Sequence, residues 1–295
     1  MKELLISSIM ANLTGLFDNV NAQVADIAVQ VGKTPQAWNG GVYSMIKNLS
    51  DHVALPIAGI ILAIVATTEF IQMIINHNNQ HDFETWIFFK WTIKTFCSIL
   101  IVSNTWNIVM AVFDVAQHVV NNASGLIIGD TSIDMNSVIT SLETQLETME
   151  LGPIFSLWLQ SELIGFTMWA LTICIFIITY GRMIEVYLMT SLAPIPLATM
   201  ANQEWGQMGK NYIRSLAALG FQAFLIVVCV AIYAVLIQHI GTQTDIMKAI
   251  WTCMGYTVLL CFTLFKTGSL AQSVFNDRVK GCSQKGLLKN GIKLQ

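Results

Sequence analysis

The sequence predicts an all-α fold: a polytopic helical membrane protein with five spans. Three observations lead to this prediction. Of the 295 residues, 54% are hydrophobic and only 11% are charged, and uncharged apolar runs of membrane-spanning length recur along the chain. Soluble domains carry about 25% charged residues, so this deficit indicates a surface that mostly faces lipid. The net charge of −3, without a basic stripe, does not suggest a nucleic-acid-binding domain.

Residues 1–52 are predicted to form an exterior, amphipathic N-terminal region. Apolar residues recur at helical spacing from Leu5 to Val31, and the opposite face carries Asn12, Asn19, Gln23, Asp26 and Gln30. Such a helix lies on a membrane surface or packs on a neighbouring helix. Lys33-Thr34-Pro35 should end it, and Gly40-Gly41 indicates a loop before a second short helix.

Residues 53–120 are predicted to hold the first two transmembrane helices. Val53–Ile75 is the first span, with Pro56 in its first turn, where a missing N–H is tolerated. A second apolar segment begins at Trp86, and its bilayer part is expected at Thr92–Phe113.

Residues 121–161 are predicted to form an exterior acidic loop. From Thr95 to Gly181 the sequence contains no Lys or Arg, and a loop without basic residues is typical of the translocated side. A surface helix with Leu146 and Met149 on its apolar face is expected in this loop, ended by Gly152-Pro153.

Residues 162–266 are predicted to contain three more transmembrane helices and a proline-broken hairpin at 183–213, cytoplasmic or re-entrant. The spans are Leu163–Tyr180, Arg214–Ile240 and Ile246–Phe265, and residues 267–295 form a basic cytoplasmic tail. A six-span alternative, in which Met183–Met200 also crosses, gives the same division of basic residues between the two sides. Five spans, with the N-terminus outside and the C-terminus inside, are preferred because they keep the basic-free loop outside.

Two pairs of charged residues are candidate functional groups. Glu69 and Lys94 fall at similar depths on neighbouring spans, which indicates either a pore-lining pair, a structural ion pair, or snorkelling to the interface. Arg182 and Glu185, spaced i, i+3, suggest a helix-surface pair at the interface.

A candidate broken-helix motif surrounds Pro194 and Pro196 and continues to Trp205 and Tyr212. Two prolines one residue apart cannot sit inside a regular helix. Unpaired backbone in a membrane protein has to be satisfied by protein or by water, so the break is either buried against neighbours or lines a cavity.

Small residues form a candidate assembly face. Membrane helices associate through close packing of small side chains. On the fourth span Ser215, Ala218 and Gln222 share one helix face (i, i+3, i+7), with Gly220 beside it. On the first span Gly59 and Ala63 form a pair of small residues spaced i, i+4. The alternative is ordinary packing within one subunit.

No catalytic, cofactor-binding or metal-binding residues are predicted, and no enzymatic activity. The sequence contains none of the common hydrolase, metalloprotease or phosphate-loop signatures. Its six cysteines show no CxxC spacing, and five lie in apolar runs as small hydrophobic residues.

The proline-broken segment APIPLA, followed by Trp205, Tyr212 and the span SLAALGFQAF, resembles the TrbL/VirB-six family. Its members are polytopic inner-membrane subunits of type IV secretion and conjugation machines, and the similarity is greatest to versions on Gram-positive mobile genetic elements. The chain departs from some members in lacking a large C-terminal soluble extension.

The resemblance implies a homo-oligomer, a ring such as a pentamer, at the base of a channel that exports DNA or protein. It implies as partners the lipid bilayer, other secretion-complex subunits, cytoplasmic ATPases and the translocated DNA or protein. The expected location is the bacterial cytoplasmic membrane. Two other functions remain open: a secondary transporter or permease for a small solute, because transporters use broken helices, and a holin-like pore former.

Overall fold

The computed structural model describes residues 2–77, 85–128, 143, 146–202, 205–238 and 246–276. In these ranges the chain is helical and contains no strand. Five helices are long and apolar enough to cross a membrane: Gly40–Ile75, Trp86–Ser103, Leu151–Leu192, Gly206–Ile237 and Trp251–Phe275. The predicted class, an all-α membrane protein with five spans, is confirmed. Of the predicted basic tail 267–295, residues 267–276 continue the last helix and the rest lies outside the described residues. Of the predicted acidic loop 121–161, residues 129–142, 144 and 145 lie outside them, whereas 121–128 and 151–161 are helical.

The N-terminal region contains three helices: α1 (Lys2–Val31), α2 (Pro35–Trp38) and α3 (Gly40–Leu49). The expected loop at Gly40-Gly41 was wrong, because these glycines open α3. The Asn39 side chain accepts hydrogen bonds from the N–H groups of Gly41 and Val42, both at 3.0 Å, and so caps the helix start.

The first span is longer than predicted. One π-helical turn, Ser50–Ala54, joins α3 to α4 (Leu55–His77), and the backbone stays helical throughout. The second predicted span is divided by a bend between α5 (Thr85–Ser103) and α6 (Thr105–Ile128). At this bend the side chains of Asn104 and Thr105 bond to carbonyls of the preceding turn, an arrangement that bends helices.

The third span belongs to α7 (Leu151–Leu192), a continuous helix of 42 residues. Gly152-Pro153 was expected to end an earlier helix. It lies instead in the first turn of α7, where proline needs no intrahelical partner. After α7 come α8 (Pro194–Ala198), a 3-10 turn (Thr199–Ala201), α9 (Gly206–Gln238) and α10 (Ile246–Asn276).

The chain divides into two compact units. The first comprises Met1–Lys33, Gln117–Arg182 and Ala223–Gly268, and the second comprises Thr34–Ala116, Met183–Gln222 and Ser269–Gln295. The core of the first unit joins α1, α6, α7, α9 and α10 through buried apolar residues such as Ile27, Val120, Ile164, Ile226 and Leu260. The second unit has smaller cores, one of which packs Ala58 and Leu62 of α4 against Ala198 of α8.

In the first unit, α1 packs lengthwise on α7, and the two helices run in the same direction. Near the start of α1, Lys2 Nζ donates to the Glu147 carbonyl at 2.8 Å, just before α7 begins. Further along, Asn12 donates to Ser161 at 3.2 Å, and Gln23 donates to Thr172. Of the two positions expected for this amphipathic helix, the structure shows packing on a neighbouring helix.

Many serine and threonine hydroxyls in the spans bond to their own helix. Thr67, Thr179 and Thr190 each donate to the carbonyl four residues earlier, at 2.8, 3.0 and 2.7 Å. These bonds satisfy the hydroxyl donors without a partner helix.

Candidate functional site

Glu69 of α4 and Lys94 of α5 form an ion pair, as their matched depth in the sequence suggested. Lys94 Nζ donates to Glu69 Oε1, and the Glu69 side chain is the more enclosed of the two. Glu69 Oε2 is buried and accepts no hydrogen bond from the described residues. Glu69 Oε1 therefore pairs with the lysine, while Oε2 has no hydrogen-bond donor among the described residues.

An aromatic group packs beside the ion pair, between the same two helices. The rings of Phe70 and Trp91 lie 4.9 Å apart, and Trp91 Nε1 donates to the Ala66 carbonyl at 3.3 Å. These contacts of Trp91 help to hold α4 and α5 in the register that places Glu69 beside Lys94.

Arg182 and Glu185 have different surroundings. The side chain of Arg182, at the end of the first unit, is buried, and Glu185, one turn later on α7, is exposed. A buried guanidinium differs from the interfacial surface pair expected for these two residues, because burial requires hydrogen-bonding partners.

The proline segment forms a closed turn between α7 and α9. Pro194 occupies the first turn of α8, where its missing N–H is tolerated, and Pro196 lies within the same turn. The prolines cannot donate to the last carbonyls of α7. The Tyr212 hydroxyl, from α9, donates to one carbonyl of that last turn, Met189, at 2.8 Å.

Two glycines of α9 allow this turn to close. A Cβ added at Gly209 would lie 2.6 Å from the Pro196 carbonyl oxygen and would also collide with the Met200 side chain. At Gly206 an added Cβ would meet the Met200 carbonyl at 3.4 Å. The sequence analysis missed both glycines. Their i, i+3 spacing directly after the proline segment was the available signal.

Of the four members of the candidate broken-helix motif, three lie in the protein interior or partly so. Pro194 is buried, Pro196 and Tyr212 are half-buried, and Trp205 is 51% exposed. The break is therefore packed against its own chain at the prolines, and Trp205 projects from the turn that precedes α9.

Aromatic side chains tie α2 and α3 to α6 and α7 within the second unit, and the sequence analysis also missed these contacts. The Tyr187 hydroxyl donates to the Pro35 carbonyl at 2.6 Å, and Trp106 Nε1 donates to the Tyr43 hydroxyl at 3.0 Å. Tyr187 is 3% exposed. Nothing in the local sequence pattern indicated these pairings between distant residues.

The candidate assembly face is divided by the structure. Ala218, Gly220 and Gln222 are buried within the chain and Ser215 is half-buried, whereas Gly59 and Ala63 are exposed on α4. A Cβ added at Gly220 would lie 3.1 Å from Ala116 Cβ. The residues of the fourth span thus take part in packing within the chain, whereas Gly59 and Ala63 on the first span remain exposed on its surface.

The sequence of residues 20–194 matches the family described as TrbL/VirB6 plasmid conjugal transfer like protein. This stretch is more than half of the chain. The chain belongs to the TrbL/VirB6 family. Searches of curated proteins and of solved structures found no match.

The TrbL/VirB6 match includes the ion pair and Arg182, and it ends at Pro194. Pro196, Trp205, Tyr212 and the small-residue span after them, which carried the resemblance in the sequence, lie beyond the matched stretch. Membership of the TrbL/VirB6 family identifies the protein as a conjugal transfer protein, and its five apolar helices identify it as a membrane protein.

Proposed function

We propose that this protein is a non-enzymatic channel or scaffold subunit of a conjugative type IV secretion complex, which helps DNA or protein cross the bacterial cytoplasmic membrane. The match of residues 20–194 to the conjugal transfer family carries the proposal. The five helices of membrane length fit a subunit that is embedded in the bilayer.

The distribution of burial supports a role within a larger assembly. Half of the most apolar stretch of α9 is buried in the chain, but only 11% of the corresponding stretch of α5. A larger part of α9 than of α5 is therefore covered by the chain itself. The outer face of the α4–α5 pair, with exposed Ile60, Ile64, Phe89 and Phe96, is available to lipid and to neighbouring subunits.

The proposed partners follow from this arrangement. Copies of the chain form a ring, such as a pentamer, through the exposed Gly59 and Ala63 of α4, where small side chains permit close helix approach. Residues 121–161 meet exterior components of the complex. The basic residues of 267–295 meet anionic lipid, the cytoplasmic ATPases or the transported DNA.

An in-frame deletion in the donor cell tests the proposal. Transfer of the mobile element to a recipient should fall below detection and should return when the wild-type chain is supplied in trans. The same deletion in the recipient should leave transfer unchanged. Normal transfer from the deleted donor, with or without loss of uptake of a small solute, would overturn the proposal.

A further inference from the structure

Helices α7 and α10 pack side by side in the first unit and run in the same direction. Trp251 Nε1 of α10 donates to Gln160 Oε1 of α7 at 3.1 Å, and further along the Thr167 hydroxyl donates to Met254 Sδ at 3.3 Å. Thr167 and Met254 are separated by 87 residues. Residues that follow them by about two helical turns, with the same separation, should therefore meet again.

Cys174 and Cys261 occupy these next positions. Cys174 follows Thr167 by the same number of residues as Cys261 follows Met254, and the two thiols lie within hydrogen-bonding distance of each other. Cys261 is 5% exposed, whereas Cys174 is half-buried. The two sulfurs are thus in contact, and Cys174 is the more accessible of the two.

Both thiols lie in stretches without charged residues. Helix α7 carries none between Glu162 and Arg182, and α10 carries none between Lys248 and Lys266. Each stretch is close to the length that crosses a hydrocarbon core. A reagent therefore has to be soluble in lipid to reach Cys174.

We propose that Cys174 and Cys261 form an oxidisable thiol pair, in which Cys174 reacts with an apolar, membrane-permeant disulfide and Cys261 completes an internal disulfide bond. First, the Cys174 sulfur attacks one sulfur of the reagent, which gives a mixed disulfide and releases half of the reagent as a thiol that takes up the Cys174 proton. The Cys261 sulfur then attacks the Cys174 sulfur and displaces the other half as a thiol, which takes up the Cys261 proton. The two cysteines are oxidised, and the reagent disulfide is reduced to two thiols.

The contact between the thiols favours the second step. Because Cys261 is already beside Cys174, the attack is intramolecular and does not require another molecule of reagent. The resulting bond joins α7 to α10 and encloses α8 and α9, which lie between them in the chain, in one covalent loop. It therefore opposes the separation of α7 from α10.

Oxidation of the full chain in isolated membranes tests the pair. The probe is 4,4′-dithiodipyridine, an apolar disulfide that releases thiopyridone, and the other four of the six cysteines are replaced by alanine. We expect two thiopyridones per chain, no attached reagent, and a peptide in which Cys174 is linked to Cys261 by mass spectrometry. Two unreacted thiols, or a lasting adduct on Cys174, would overturn the proposal.

Single variants separate the two roles. Cys261→Ser should release one thiopyridone and retain the other half of the reagent on Cys174, because the resolving thiol is absent. Cys174→Ser should react about tenfold more slowly, because the remaining thiol is buried. Equal rates in the two single variants would contradict the assignment of Cys174 as the attacking thiol.

A displaced cysteine is the matched control for the contact. Leu259→Cys combined with Cys261→Ser moves the second thiol to a side of α10 where Leu259 is 52% exposed. The control keeps two thiols at a similar depth but out of contact, so each should retain half of a reagent molecule. An internal bond formed as readily as between Cys174 and Cys261 would show that the contact does not direct the reaction, and would overturn the proposal.

Discussion

The hydroxyl of Tyr212 donates a 2.8 Å hydrogen bond to the main-chain carbonyl of Met189, 23 residues earlier. This bond ties the start of α9 to the end of α7, across the segment in which two prolines remove N–H donors. It gives the broken-helix motif a structural role: the break is closed by a side chain that the same motif supplies.

Removal of this hydroxyl should loosen the turn. We expect Tyr212→Phe to lower the free energy of unfolding by about 1–2 kcal/mol, because the half-buried Met189 carbonyl loses its donor. The measurement is the thermal midpoint of the detergent-solubilised protein. Tyr256→Phe is the control, since the Tyr256 hydroxyl makes no hydrogen bond to the described residues, and it should leave the midpoint unchanged. A Tyr212→Phe variant as stable as this control would contradict the role of the bond.

A methyl group at Gly209 should be poorly tolerated. Gly209→Ala places a carbon 2.6 Å from the Pro196 carbonyl oxygen, so α9 and α8 have to separate, at a cost of about 1–3 kcal/mol. Gly255→Ala is the matched control, because an added Cβ there meets nothing within 4 Å. The control should be neutral or slightly stabilising, since alanine favours helix. Equal stability of the two variants in the same thermal assay would disprove the close approach.

The Glu69–Lys94 pair should show coupling. Glu69→Gln and Lys94→Gln should each lower the yield of folded protein, because each leaves one charge unpaired in an apolar setting. The charge-swapped double variant should recover part of the yield, with a coupling free energy of about 1 kcal/mol. Lys90→Gln, at an exposed position one turn away, serves as the control. Strict additivity of the two single losses would show that each side chain reaches the interface independently.

Assembly and folding should respond to different glycines. Gly59→Leu adds a side chain at an exposed position, so it should leave the monomer folded and reduce the mass of the oligomer in native mass spectrometry. Gly220→Leu should instead destabilise the subunit, because Gly220 packs against Ala116 in the chain itself. If Gly59→Leu left the oligomer mass unchanged, this face of α4 would not form the contact between subunits.

Two single-cysteine variants check the sidedness of the loops in a cysteine-free background. Glu147→Cys, near the start of α7, should react with an impermeant maleimide added outside intact cells. Trp205→Cys, in the exposed part of the proline turn, should react only after the membrane is permeabilised. Exterior labelling of Trp205→Cys would place the hairpin 183–213 on the opposite side from the one proposed.

Counting residues from the ends of apolar runs predicted the number of spans and placed Glu69 and Lys94 at the same depth. Both predictions depend only on the rise per residue of a helix. The partner of α1 was not predictable in this way, since amphipathicity shows that a face is buried and not what buries it. Gly209 and Tyr212 act through contacts with Pro196 and Met189, which depend on how α9 returns past α7. The cap at Asn39 was missed because two consecutive glycines usually indicate a loop. Here the Asn39 side chain accepts hydrogen bonds from the first N–H groups of α3, so the helix starts at these glycines.

The hydroxyl groups of the spans affect how the chain enters the membrane during synthesis. Thr67, Thr179 and Thr190 have their donors satisfied within one turn, so a newly made segment carrying them presents few unmet donors to lipid before any other segment arrives. Glu69 differs, because within the described part of the chain its charge is neutralised by Lys94, which is made 25 residues later. Efficient insertion should therefore require α4 to wait at the insertion machinery until α5 has emerged, so that the two helices enter the bilayer as one unit.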